Sequence, residues 1–180
     1  MRKARGDFDN FLKGNGIDIG CGPDPLRLEQ GSVRPWDLPD GDAQLMTGVA
    51  DGQLDFVYSS HCLEHMRDVP ESLRNWARIV KPGGFLYVVI PDYILYEKMC
   101  WPSMFNSDHK QSFSFLVSRR QVQRPNHWHL NEDLVPLYGQ LGLEMVRVTV
   151  EDNHFNYNAG IFDQTAHTAL SQLCIVAKKK

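Results

Sequence analysis

Apolar positions along this chain fall into short blocks separated by glycine, proline and charged residues. The first block, Gly16-Ile17-Asp18-Ile19, carries β-branched side chains and stops at Gly20-Cys21-Gly22. A run of that kind, bounded by a glycine turn, predicts a buried strand. Pro23 and Pro25 restrict any helix behind it, because proline fits only the first helical turn. Residues 32–38 (SVRPWDL) predict a second strand, which Pro35 marks as irregular or at an edge. Leu54–Ser60 predicts a third. From Asp68 the spacing becomes helical: Leu73, Trp76, Ala77 and Val80 share one face, Asp68 is the N-cap and Pro70 lies in the first turn. Lys81-Pro82-Gly83-Gly84 closes that helix, and Phe85–Pro91 predicts another buried strand. Strand, helix, strand in this order implies a right-handed βαβ unit in a parallel sheet.

Beyond Pro91 the pattern loosens. Residues 100–128 mix aromatics, histidines, arginines and prolines without a clean period, and read as an excursion over the sheet edge that covers the substrate. Asn131 is expected to cap a short helix through Leu141, despite Pro136, with Gly142 ending it. Residues 143–151 and 171–179 predict two late strands, and the first ten residues a frayed polar lead-in.

The length of 180 residues suits one domain, 1–180. Hydrophobic residues at 42% and charged residues at 23% are ordinary for a globular chain. A net charge of −3 leaves no footprint for generic nucleic-acid binding, and Lys178-Lys179-Lys180 reads as a solubilising terminus. Cys21, Cys62, Cys100 and Cys174 are scattered, with no C-x-x-C pair. This fits a reduced, cytoplasmic protein, although four cysteines could in principle pair. No apolar run approaches the ~18 residues of a membrane span, and residues 1–10 lack the apolar core of a signal peptide.

Parallel sheets bind ligands beyond the carboxyl ends of their strands, which is where the Gly20-Cys21-Gly22 turn falls. Glycines there let the backbone approach a ligand closely. A second motif, His61-Cys62-Leu63-Glu64-His65, spells the H-x-x-E-H of inverted zinc peptidases. Peptidase chemistry needs those letters on one continuous helix, so that residues one turn apart share a face. Here a strand precedes them and the Asp68 cap follows, so they occupy a strand-to-helix turn. The expectation is that they hold no metal, and the zinc peptidase is the weakest alternative.

Taken together, Gly16–Pro25 (GIDIGCGPDP), Gly41–Gln44 (GDAQ), Leu54–His65 (LDFVYSSHCLEH) and Leu73–Asp92 (LRNWARIVKPGGFLYVVIPD) resemble a class I S-adenosylmethionine-dependent methyltransferase of the type 11, ubiquinone-biosynthesis-like group. The resemblance covers about residues 14–92; residues 127–148 resemble the family's late helix and strand more weakly. It implies a Rossmann-like α/β fold, with a mostly parallel sheet of seven strands, helices on both faces and the last strand antiparallel. It also implies S-adenosylmethionine as cofactor. Asp18, Gly20, Cys21 and Gly22 would surround its methionine part, Asp37 the ribose hydroxyls, Asp42 and Ala43 the adenine, and Ser60 and His61 the methionine end.

Two departures stand out. Asp24 replaces the third glycine of the first motif, and Asp37 and Asp42 are five residues apart where the family has a helix and a strand between them. The sheet is therefore expected to be trimmed near its second and third strands. No N/D-P-P-Y/F and no Pro-Cys follows the Leu54–Ser60 strand, which argues against methylation of adenine amino groups and of cytosine carbon. The acceptor expected is the oxygen of a small molecule, lipid or glycan. Histidine suits removal of a hydroxyl proton, with His109 the first candidate and His61 the second; His127 and His129 lie in the same covering region. A degenerate fold that binds S-adenosylmethionine, or acts only as a partner protein, is the main alternative.

Overall fold

The computed structural model describes residues 6–180. Strands β1 (Asn15–Ile19), β2 (Ser32–Trp36), β3 (Leu54–Ser60), β4 (Val80–Pro91), β7 (Leu143–Glu151) and β8 (Gln172–Lys179) form one sheet in the order β2-β1-β3-β4-β8-β7. The first four run parallel, and β8 lies antiparallel between β4 and β7. Among the described residues the sheet has six strands, with the expected trim at its β2 side. Residues 20–31, which carry the two prolines, join β1 to β2 without a helix. Between β2 and β3 the only regular element is a 3₁₀ turn, Leu38–Asp40.

Alternation along the strands splits the core into two layers. Ile17, Ile19, Val57, Leu86, Val88, Ile90, Ile175 and Ala177 face helices α2 (Val69–Ile79) and α3 (Val135–Gln140), where Leu73, Trp76 and Tyr138 are fully buried against them. Phe56, Tyr58, Tyr87, Val89, Cys174 and Val176 form the opposite layer. That layer is covered by the one-turn helix α1 (Asp7–Phe11), by Leu12 and by the loop residues Leu26 and Leu28. The trim thus removes helix cover from one face as well as a strand from one edge.

Several expectations are corrected. Of the lead-in, residues 1–5 lie outside the described residues, while Asp7 is fully buried and accepts a hydrogen bond from the Tyr87 hydroxyl at 2.9 Å. Its other oxygen pairs with Arg147, so this stretch is an anchor. Helix α2 is capped by the Asp68 carboxylate, which accepts from the Glu71 N–H at 2.8 Å, but it ends at Ile79; Val80 belongs to β4 and pairs with Leu54. The late helix opens as a π-helical turn, Leu130–Leu134, and Asp133 instead of Asn131 supports its start by accepting from the His129 N–H at 2.9 Å. Residues 100–128 are mostly irregular, as expected, with one small regular element. Strands β5 (Ser112–Ser114) and β6 (His127–His129) form a small parallel pair, and Phe113 is fully buried in the main core. This segment crosses the carboxyl ends of β3 and β4: Lys110 and Gln111 N–H donate to the Glu64 carbonyl at 2.8 and 2.9 Å, and Tyr93 N–H to that of Phe113 at 2.7 Å.

Candidate functional site

The site is built on the turn after β1. Gly20 has φ 73°, and its N–H donates to the Trp36 carbonyl at 2.8 Å, drawing the turn over the end of β2. A β-carbon on Gly20 would sit 2.6 Å from the Cys62 side chain, so glycine is required by conformation and by space. Gly22, at φ 55°, donates its N–H to Asp37 Oδ2 at 2.8 Å. The other oxygen of Asp37 accepts from the Leu38 N–H at 2.8 Å, capping the 3₁₀ turn. One carboxylate therefore ties the glycine turn to the end of β2.

Two cavities meet at Gly20. One, of about 450 Å³, is lined by Asp18, Gly20, Cys21, Arg27, Tyr58 and Ser60. Asp18 is 3% exposed and accepts a hydrogen bond from the Leu26 N–H at 2.7 Å. Burial pushes its carboxyl up to about 6, further aided by the charges of Asp24 and Asp37 and opposed by the Leu26 hydrogen bond. An exposed guanidinium, Arg27, lies on the same cavity. The second cavity, of about 260 Å³, is lined by Gly20, Asp37, Leu38, Ala43, His61 and His65, with Asp108 at its wall. Leu38 is 90% exposed, an apolar surface next to the Asp37 carboxylate. Ser60 and His61 are adjacent at the end of β3, and each faces a different cavity.

The methyltransferase domain family matches residues 23–88. Solved structures extend the likeness in fold to the rest of the chain. A SAM-dependent methyltransferase from Archaeoglobus fulgidus is 16% identical, with 98% of this chain and 92% of that one covered at a TM-score of 0.59. One from Thermotoga maritima is 20% identical, with coverage of 98% and 87% and a TM-score of 0.57. A chain from the complex of the Haloferax volcanii Trm112 methyltransferase activator with a methyltransferase is 14% identical, with coverage of 97% and 88% and a TM-score of 0.58. Among curated proteins, none matches the chain.

Of the expected site residues, Asp18, Gly20, Cys21 and Ser60 share the first cavity, and Gly20, Asp37, Ala43 and His61 the second. Three expected residues line neither. Gly22 acts through its hydrogen bond to Asp37. Asp42 is held by Arg67 at 2.7 Å and by the Gln44 N–H at 2.8 Å, and the Arg67 hydrogen bond leads in holding its carboxyl below the usual range. His109 is buried behind His65, with Nδ1 2.7 Å from Glu97 Oε1, and reaches neither cavity. His127 is also buried, between the Ser112 and Ser114 hydroxyls, and burial pulls its imidazole down to about 3. The histidine best exposed to the cavity is His61. It has φ 57°, a left-handed conformation uncommon outside glycine. Its Nε2 is 2.7 Å from Gln172 Oε1 and its Nδ1 3.5 Å from Glu64 Oε1.

The H-x-x-E-H letters are confirmed as a turn. Leu63–His65 is a single 3₁₀ turn between β3 and α2, so His61 and His65 share no helix face. Sequence reasoning missed Arg27, Leu38, His65 and Asp108 in the cavities. Leu38, next to an acid at a strand end, carried a readable signal; Asp108 did not, because only the folded excursion brings it 2.8 Å from His65 Nδ1. All four cysteines are free, and burial pushes the Cys62 thiol up to about 12. A larger cavity of about 630 Å³, lined by Arg119, Arg120 and Arg124 among others, lies in the excursion and shares no residue with these two.

Proposed function

We propose that the protein is an S-adenosylmethionine-dependent methyltransferase acting on an oxygen of a small molecule, lipid or glycan. The observation that carries this reading is the pair of cavities meeting at Gly20, with complementary chemistry. The first sets a buried carboxylate, Asp18, and a guanidinium, Arg27, on one cavity, which suits the ammonium and carboxylate of an amino acid. The second sets a carboxylate beside exposed apolar surface, Asp37 beside Leu38, which suits a ribose diol and an adenine ring. S-adenosylmethionine has both parts, joined at a sulfonium that supplies an activated methyl group.

His61 takes the role of base. Its Nε2 faces Gln172 Oε1, and the amide orientation is fixed because Gln172 Nε2 bonds Glu151. His61 Nε2–H therefore donates, and Nδ1 carries the lone pair that takes an acceptor hydroxyl proton. The Glu64 carboxylate, 3.5 Å away, stabilises the resulting imidazolium. Residues 100–128 cover the acceptor side, supported by Asp108 at the wall of the second cavity.

Calorimetric titration with S-adenosylmethionine and S-adenosylhomocysteine tests the reading. Binding of both is expected, and no heat and no thermal shift at millimolar ligand would overturn it. The absence of a helix after β1 and of a strand beyond β2 favours one second reading, a binding protein without turnover. It would show cofactor affinity but no methylated product by mass spectrometry with any acceptor hydroxyl.

A further inference from the structure

Behind the wall of the second cavity lies a group of side chains that the proposed reaction does not fully use. Glu64 is 1% exposed, and neither of its carboxylate oxygens accepts a hydrogen bond. A buried carboxylate in that state is costly, and such a group calls for a counter-charge. Three imidazole nitrogens lie near it: His61 Nδ1 at 3.5 Å, and His65 Nε2 and His109 Nε2 at 3.9 Å each, from Glu64 Oε1. The far nitrogens of the His65 and His109 rings are held by other carboxylates. His109 Nδ1 is 2.7 Å from Glu97 Oε1, and His65 Nδ1 is 2.8 Å from Asp108 Oδ2.

Those outer carboxylates decide the proton positions. Each accepts from an Nδ1–H, which leaves Nε2 of the neutral ring as a bare lone pair. The His65 and His109 lone pairs then converge on a carboxylate that accepts no hydrogen bond, an arrangement that a cation between them would satisfy. Outer carboxylates that orient histidines in this way are the usual support of a metal-binding imidazole.

We propose that Glu64, His65 and His109 form a three-ligand site for a zinc ion behind the wall of the second cavity. One ligand atom from each residue lies within 4.8 Å of the others. Tetrahedral zinc with bonds of about 2.0–2.1 Å needs ligand atoms roughly 3.3 Å apart, so a contraction of up to ~1.5 Å closes the site. Two imidazoles and a carboxylate match the borderline softness of zinc, and exclude calcium and magnesium, which take oxygen ligands. Backbone supports the placement: Lys110 and Gln111 N–H both donate to the Glu64 carbonyl, pinning the His109 segment against the turn that carries Glu64 and His65. The ion would thus join the strand-end turn to the excursion, and this holds whether or not the protein transfers methyl groups.

The test uses the full chain, stripped with chelator and then titrated with zinc or cobalt(II). Elemental analysis after gel filtration is expected to find one zinc per chain. The cobalt form is expected to show the strong visible absorption of a four-coordinate site. Glu64→Gln and His109→Ala should lower zinc affinity at least a hundred-fold, and Glu97→Gln ten- to a hundred-fold by releasing the His109 ring. His65→Ala changes a side chain at the cavity wall; with circular dichroism as a check on folding, it keeps the test decisive if the buried variants fail to fold. Absence of stoichiometric uptake would overturn the proposal. Uptake that His65→Ala does not weaken would overturn it equally, by placing the metal elsewhere.

Discussion

Single side chains at this site were only half legible, and Asp18 shows why. Its place one residue before Ile19-Gly20 marks it as a cavity residue, but its cost appears only in the fold. With its carboxyl at about 6, against an ordinary value of 3.8, the folded chain holds more protons than the unfolded one between those pH values. Stability from this group is therefore fully present below about pH 4 and is lost as pH rises through about 6. Asp18→Asn keeps an acceptor for Leu26 and removes the buried charge. The variant is expected to gain on the order of 1–3 kcal/mol over the parent at pH 7.5 and nothing at pH 4, read as urea midpoints. It should also bind S-adenosylmethionine at least tenfold more weakly, because the ammonium loses its counter-charge. His61 makes the opposite case: its letter suggested chemistry, while its backbone strain and exposure became visible only in the fold. His61→Ala is expected to lose about 10²–10⁴ in turnover with cofactor affinity nearly unchanged. His109→Ala removes nothing that lines the cavity and should retain the larger share. The reverse ranking, measured once an acceptor is in hand, would move the base into the excursion.

Elements whose contacts are local were read well. The strand before Gly20, the β3 strand and helix α2 with its Asp68 cap all follow from residues within one turn or one strand of each other. Elements that depend on distant partners were not. The partner of Asp42, Arg67, lies 25 residues on, and no local pattern marks it. Phe113 looked like a loop aromatic until it was found in the core. The connection between β2 and β3 sits between these cases, since the five residues from Asp37 to Asp42 announced a missing helix and strand but not what Asp37 does instead. Its carboxylate holds both the Gly22 N–H and the Leu38 N–H, so it carries the shape of the glycine turn as well as any bond to a ribose. Asp37→Ala is expected to weaken cofactor binding ten- to a hundred-fold, as the loss of charge-assisted hydrogen bonds worth about 1.5–3 kcal/mol implies. Asp37→Asn keeps an acceptor for the Leu38 cap but loses the one for the Gly22 N–H, and full affinity in that variant would show that the ribose is held elsewhere. Asp42→Ala should affect cofactor binding less.

At the scale of the whole molecule, the expected class of fold is present with less material than the class implies. A six-strand sheet carries two helices on one face and a single helical turn on the other, yet the buried layers on both faces are continuous because Leu12, Leu26 and Leu28 stand in for helical cover. The two cavities survive the trimming because they depend on strand ends and on Gly20, not on the elements that were lost. The order of strands has a separate outcome. β8 lies between β4 and β7, although it follows β7 in the chain. A polypeptide made from its amino end can assemble β1 to β4 as it emerges from the ribosome, but β7 must then wait beside an open edge. The strand that joins β7 to the rest follows it in the chain, so β7 cannot enter the sheet until β8 has been made and has paired with β4.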